Sequence, residues 1–464
     1  MRTPIINLAA ALAVCTVAFA APGRLAAQTP ALDSLAREAA GNWPALAETR
    51  ALRDAAAAQR LEAQRGFRPS VNVGGTYTLA AGGRTIALPL GDLLNPAYTT
   101  LNQLTQRSDF PVLDNQEEAL LPNNFYDARV RVVQPILRPE VRLARQLAAA
   151  GIEAQTAGLE VVRTELRAAV RTAYYQLASA RAAVAIYAAA EDLTDEAYRT
   201  TASLVRNGAA LPLARERITA ERAEVRAARA AARATEANAL AQLNYLLGRP
   251  LDTPLPTSGG GVRRAPGGRR TPSPEAGSPL PPEAGSPLTP ATRAELAQLR
   301  AGVRVAELNS ELERQFRRPR LGLQLDAGSQ DFDFGLQPYV LAGLSLDVPL
   351  YDGGRHAART QRLEAERRAA EARFDDARRG FALQLEVARN DLAAAEARLA
   401  AYAPALAAAQ RTYADAETLY RAGETGYVEL LDAQNQLTTT RLRQSLASYD
   451  TALRYVALLR AAGR

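Results

Sequence analysis

At 464 residues, 47% of them hydrophobic, the chain is long enough for more than one core, but its single cysteine excludes a disulfide framework and a thiolate metal site. All 56 basic residues are arginines, the formal charge is +7, and the arginines alternate with glutamates, as in Arg215-Glu216-Arg217 and Glu221-Arg222-Ala223-Glu224. That is the pattern of solvated helix faces with i,i+4 pairs and not the basic, aromatic-laced stripe of a nucleic-acid interface, so no nucleic-acid partner is expected.

In chain order, Arg2, the apolar run Ile5 to Ala21 and the small residues Leu25-Ala26-Ala27 predict a signal peptide over 1–27 and an exported protein. Cys15 lies inside that run, and Leu12-Ala13-Val14-Cys15 is a poor lipidation site because hydrophobic residues continue to Ala21. No other charge-free stretch reaches about 18 apolar residues, so no membrane helix is expected. A helix is predicted over 31–66, ended by Gly66. From Val71 the period changes to two, with Val71, Val73, Tyr77 and Leu79 facing one way and Asn72, Thr76 and Thr78 the other. A second strand is predicted over 125–134, and the polar stretch 81–124 between the two is far longer than a hairpin loop. A long helix then runs from Pro139 to Arg206, with an irregularity expected near Glu191-Asp192, and returns over 213–247.

Residues 252–290 are a Pro/Gly/Ser-rich linker in which Pro-Glu-Ala-Gly-Ser-Pro-Leu occurs at 274–280 and again at 282–288, a composition that cannot bury a core. After it the order repeats over 291–464: helix 291–316, strands 320–328 and 339–348 joined by a short turn, long helix, return helix. Leu204-Val205-Arg206-Asn207-Gly208 becomes Leu419-Tyr420-Arg421-Ala422-Gly423, an offset of 215 residues. The same offset superposes two apolar ladders, Leu166, Val170, Ala173, Leu177, Ala180, Val184, Tyr187 on Phe381, Leu385, Ala388, Leu392, Ala395, Leu399, Tyr402. Steps of four and three give a seven-residue period, the signature of supercoiled helices, so residues 28–251 and 291–464 are two copies of one unit built on a long helical hairpin.

Strands of about ten residues with one apolar face have the length and alternation of tilted membrane strands, and four of them leave open edges that lipid does not tolerate. Oligomerisation is therefore expected, two copies giving eight strands with a filled interior and three giving twelve with room for a channel. Alternatives are a periplasmic coiled-coil scaffold and a periplasmic adaptor; an adaptor would carry a single hairpin flanked by β domains. An enzyme is not expected. The one histidine, His356, has no nucleophile or metal partner in sequence, and no Gly-rich loop follows a strand, so neither cofactor nor metal is predicted.

Leu419-Tyr420-Arg421-Ala422-Gly423, Leu430-Leu431-Asp432-Ala433-Gln434-Asn435-Gln436-Leu437 and Val348-Pro349-Leu350-Tyr351-Asp352-Gly353-Gly354-Arg355 together resemble the TolC family of outer membrane efflux proteins. The resemblance implies a mainly α fold with a small β part: a trimer with an α-helical barrel and a transmembrane barrel of twelve strands, four from each chain. It also implies an outer membrane location with a large periplasmic portion. The partners it implies are a periplasmic adaptor and an inner membrane pump of RND, ABC or MFS type. Carried onto this chain, the family's gate falls at Tyr420, Glu429 and Asp432, with Arg217 as a basic partner because Thr425 stands where a basic residue is frequent. Ala214, the first-repeat counterpart of Glu429, is uncharged. Glu429 and Asp432 also suit plain helix-start carboxylates. The hairpin tips Arg206, Gly208, Ala209, Arg421, Ala422, Gly423 and Glu424 are the expected adaptor-docking surface.

Overall fold

A computed structural model describes residues 28–208, 210–255, 293–332 and 334–464. The expected signal peptide with Cys15, most of the linker, and Ala209 lie outside the described residues. The elements are α1 (Gln28–Asn42), α2 (Pro44–Arg65), β1 (Ser70–Thr78), β2 (Thr85–Leu88), α3 (Leu90–Thr105), β3 (Gln116–Ala119), β4 (Phe125–Leu137), α4 (Pro139–Arg206) and α5 (Pro212–Leu247). They continue with α6 (Ala294–Arg314), β5 (Arg320–Phe332), β6 (Pro338–Asp347), α7 (Arg355–Ala422) and α8 (Tyr427–Ala461). Two compact units form, and both draw on both repeats. One takes residues up to Leu52, Thr156–Gln298 and Phe374–Arg464, the other Arg53–Gln155 and Leu299–Arg373.

The first unit is helical, and the seven-residue ladder is its core. Leu166, Val170, Ala173 and Leu177 of α4 are buried against Ala39 and Leu46 and against Leu243 and Leu247 of α5; Leu385 and Ala395 of α7 are likewise buried. Polar groups close the ends of the return helices. Asn42 Nδ2 donates to Leu247 O at 2.9 Å, and Arg249 donates through two nitrogens to the Glu38 carboxylate at 2.5 and 2.6 Å. Near the end of α8, Arg293 lies 3.8 Å over the Phe381 ring, pairs with Glu295 and donates to Ala461 O at 3.4 Å.

The second unit holds a four-stranded antiparallel sheet in the order β1-β4-β5-β6. Its register places Val73, Val130 and Ala327 in one row and Val71, Val132 and Leu325 in the next, so one face is apolar across all the strands. The opposite face is polar and internally paired. Arg131 grips Asp326, only 2% exposed, through two nitrogens at 2.9 Å, and Asp127 accepts from Arg129 and from the Tyr339 hydroxyl. His356 stacks on Phe316 at 4.8 Å with Nδ1 3.1 Å from a Glu313 oxygen, a packing role.

Four sequence expectations change. The predicted helix 31–66 is two helices broken at Trp43, because the residue before a proline is disfavoured in helix while Pro44 suits a first turn. The α4 helix is continuous through Glu191, whose carboxylate takes hydrogen bonds from Arg226 and Arg229 and is held below the usual glutamate range first by Arg229 and then by Arg226. β4 runs on to Leu137 and β5 to Phe332, with a register irregularity between Pro135 and Leu137 where the proline has no N–H to donate. The 81–124 stretch holds α3 and the pair β2–β3 in place of a plain loop. Side-chain amides order it: Asn95 and Asn102 each bond both the N–H and the C=O of one facing residue, Leu113 and Phe110.

Candidate functional site: the paired hairpin apices

Both predicted tips turn through a glycine in the left-handed region, Gly208 at φ +73° and Gly423 at φ +76°. At the second apex Gly423 N–H donates to Tyr420 O and Glu424 N–H to Leu419 O, the six-to-one closure of a helix C-terminus. Arg206, Arg421, Ala422 and Glu424 are exposed, and Arg421 pairs with Glu417 one turn back. The return helices start differently. α5 begins on Pro212 after Leu211; α8 begins after Gly426 with Glu429 in its first turn.

The structure brings Tyr420 into the space between the hairpins. Its ring is 6% exposed, packs edge-on to Tyr427 at 6.0 Å, and joins Ile218 and Leu430 in one apolar cluster. Its hydroxyl is 3.0 Å from Thr201 Oγ1, whose residue is fully buried on α4. A second buried link lies along the same helix, where Gln434 Nε2 donates to Thr194 Oγ1 at 2.8 Å. Tyr427 is 7% exposed and its hydroxyl has no hydrogen-bond partner among the described residues. Burial, then the neighbouring Glu221, keep that phenol neutral by pushing its pKa far up. Glu221 of α5 is bonded to Asn435 of α8, and burial raises its carboxyl above the usual range.

Glu429, Asp432 and Arg217 are all exposed, and among the described residues none makes an ion pair within the chain. The Glu429 carboxylate folds back over its own helix start, so that a Cβ built on Gly426 would meet its Oε2 at 2.8 Å. A carboxylate there opposes the positive end of the helix dipole. Arg217 and Tyr420 share the lining of a cleft of about 510 Å³ between the two apices, with Leu211, Ala214, Gly423 and Val428.

Thr201, Thr194 and Tyr427 were not among the sequence-derived site residues, although a signal existed. The ladder that passes Tyr187 continues at its own spacing through Thr194 to Thr201, and the second ladder passes Tyr402 and ends on Tyr420. Polar residues on a core ladder mark where two helices exchange apolar packing for hydrogen bonds. Among the described residues no group of His, Cys, Asp or Glu is arranged to hold a metal, and no helix is long and apolar enough to cross a membrane.

Long helical hairpins and a four-stranded sheet are also the fold elements of solved outer membrane proteins. The chain superposes on the outer membrane protein VceC of Vibrio cholerae with a TM-score of 0.70 at 17% identity, covering 94% of this chain and 96% of that one. Residues 288–464 match the family described as outer membrane efflux protein. The outer membrane efflux protein BepC of Brucella suis is 27% identical over 150 residues, 32% of this chain and 33% of that protein. The protein CyaE of Bordetella pertussis is 36% identical over 124 residues, 27% of this chain and 26% of that one. The matched stretch thus spans about a third or less of these two relatives. The second half of the chain thus matches the outer membrane efflux protein family, and over nearly its whole length the chain shares the fold of VceC.

Proposed function

We propose that the protein is the outer membrane channel of a tripartite efflux or secretion system, a homotrimer that passes substrates from an inner membrane pump and a periplasmic adaptor to the exterior. The observation that carries this reading is the sheet. Its strands are apolar on one face and self-paired in charge on the other, and its outer strands β1 and β6 have no second partner strand among the described residues. Lipid tolerates neither open edges nor unpaired backbone, so the sheet closes with copies of itself. Light scattering in mild detergent tests this directly: a trimer's protein mass is expected, and a stable monomer in the soluble periplasmic fraction would overturn the reading.

In this function residues 28–251 and 291–464 act as duplicated halves, and their tips, Arg206 to Ala209 and Arg421 to Glu424, dock the adaptor. Tyr420 holds the two hairpins of one chain together. Glu429 and Asp432, exposed within a single chain, form acidic rings where three copies meet, and Arg217 pairs with them across neighbouring hairpins. Like charges in a ring favour cations. Removing both carboxylates, Glu429→Ala with Asp432→Ala, is expected to raise single-channel conductance and reduce cation preference. Unchanged conductance and selectivity would leave Glu429 as a helix-start carboxylate only.

A further inference from the structure

The α3 helix lies in the connection between β1 and β4, and its outward face is unpartnered among the described residues. Leu90, Leu93, Ala97, Leu101 and Leu104 recur at steps of three, four, four and three, a single stripe on an α-helix. All five are exposed, Leu93 by 73% and Leu104 by 76%. The opposite face is fixed. Tyr98 packs on Phe110 at 5.5 Å, Asn95 and Asn102 bond the facing backbone in both directions, and Asn115 Oδ1 takes the N–H groups of Gly91 and Asp92 at 3.0 and 3.2 Å. Gly91 approaches so closely that a Cβ would stand 2.3 Å from Leu113 O. A helix held this firmly presents its apolar stripe in one orientation and does not turn it inward.

Two observations identify what covers the stripe. The first is charge. Asp92 is the only charged residue of α3, and residues 81–124 hold five acids (Asp92, Asp109, Asp114, Glu117, Glu118) against Arg84 and Arg107. Interfacial helices attach to anionic lipid through basic residues on their polar face, which α3 lacks. The second is position. The segment follows directly from β1, the open edge of the sheet, at the end where Thr78 aligns with Phe125 and Phe125 with Phe332. Antiparallel closure of β1 against the β6 edge of another copy brings the start of that copy's β6 to the end of β1. Just ahead of Pro338 there stands Leu336, 82% exposed, and just beyond Thr78 here stands Leu79, 76% exposed.

We infer that the α3 stripe is a contact between copies of this chain, seated on the β5–β6 turn of the adjacent copy and extending the β1–β6 seam beyond the sheet. The inference rests on the oligomeric reading above. It assigns the inserted segment an assembly role that the four strands alone do not carry.

The test uses the full-length protein with Cys15→Ala, carrying Leu104→Cys alone, Leu336→Cys alone, or both. In the trimer isolated in mild detergent, a short bifunctional maleimide is expected to link copies through the double variant and not through either single one. Leu93→Glu with Leu104→Glu is expected to leave the trimer formed but lower the temperature at which it dissociates in SDS. Free labelling of the thiol introduced by Leu104→Cys in both detergent and lipid, with no link between copies, would overturn the inference, as would protection of that thiol only in lipid vesicles. Either result with an intact trimer leaves the channel reading standing; a monomeric parent removes both.

Discussion

At the first apex Gly208 turns beside exposed Arg206, and α5 restarts on Pro212 with neither an acidic first turn nor a side-chain cap. At the second, Gly423 makes the same turn, yet the space beneath it is filled by Tyr420 and Tyr427, and α8 restarts with Glu429. The position matching Tyr420 in the first repeat is Val205. The duplication has thus kept the backbone solution in both copies, because a tight reversal needs a residue at positive φ, while one copy supplies the buried rings of Tyr420 and Tyr427 and the other supplies Thr201 and Ile218 to receive them. The cluster is asymmetric by construction, since neither hairpin builds it alone.

The sharpest way to break that comparison is to truncate each partner in turn. Tyr420→Ala should destabilise the helical unit by about 3–5 kcal/mol, as for a buried aromatic, while Val205→Ala should cost roughly 1 kcal/mol. Thermal unfolding measures both, and equal costs would mean that the two apices are equivalent after all. Alanine at Gly423 or Gly208 meets no atom within 4 Å, so each should lose only the left-handed backbone preference, about 1–2 kcal/mol. The expectation is near equality here, in contrast to the tyrosine pair.

The hydroxyl pair sharpens the comparison further. Tyr420→Phe and Thr201→Val each orphan one buried hydroxyl and should each cost about 1–2 kcal/mol, with the double variant costing less than their sum. Strict additivity in that cycle would show that the 3.0 Å contact contributes nothing. The smallest effect concerns pH. Burial raises the Glu221 carboxyl above its ordinary value of 4.5, so the folded apex binds a proton more readily than the unfolded chain. The resulting penalty is complete above the raised value and fades as pH falls toward 4.5. Asn435 and Tyr427 of α8 and Glu224 of α5 surround the group. Relative to the parent, Glu221→Gln should therefore gain stability at neutral pH and none at pH near 4, read by melting temperature across that range.

Most of the architecture was legible because periodicity reports burial. The ladders Leu166 to Tyr187 and Phe381 to Tyr402 and the alternation at Val71 and Leu321 each follow one geometric repeat over many residues. Of the four departures, two concern whole elements. The break at Trp43 turns on a single proline within an otherwise helical stretch. The order in residues 81–124 comes from Asn95, Asn102 and Asn115, whose amides bond backbone groups up to 24 positions away, a pairing that local spacing does not encode. For the site, Tyr420 was reached through the family resemblance, but its partner Thr201 lies 219 positions away and is specified only by the packing of α4 on α7.

The strand order β1-β4-β5-β6 crosses from the first repeat to the second between β4 and β5, along a ladder broken only between Pro135 and Leu137 and clamped by Arg131 and Asp326. A polypeptide carrying one repeat would have to form that seam by meeting another molecule; here tethering makes it an intramolecular event at the high effective concentration that a linker confers. Fusion thus halves the number of separate chains that must find one another to build a given number of strands, and in the proposed assembly the seams of the sheet left to concentration are those between β6 and the next β1.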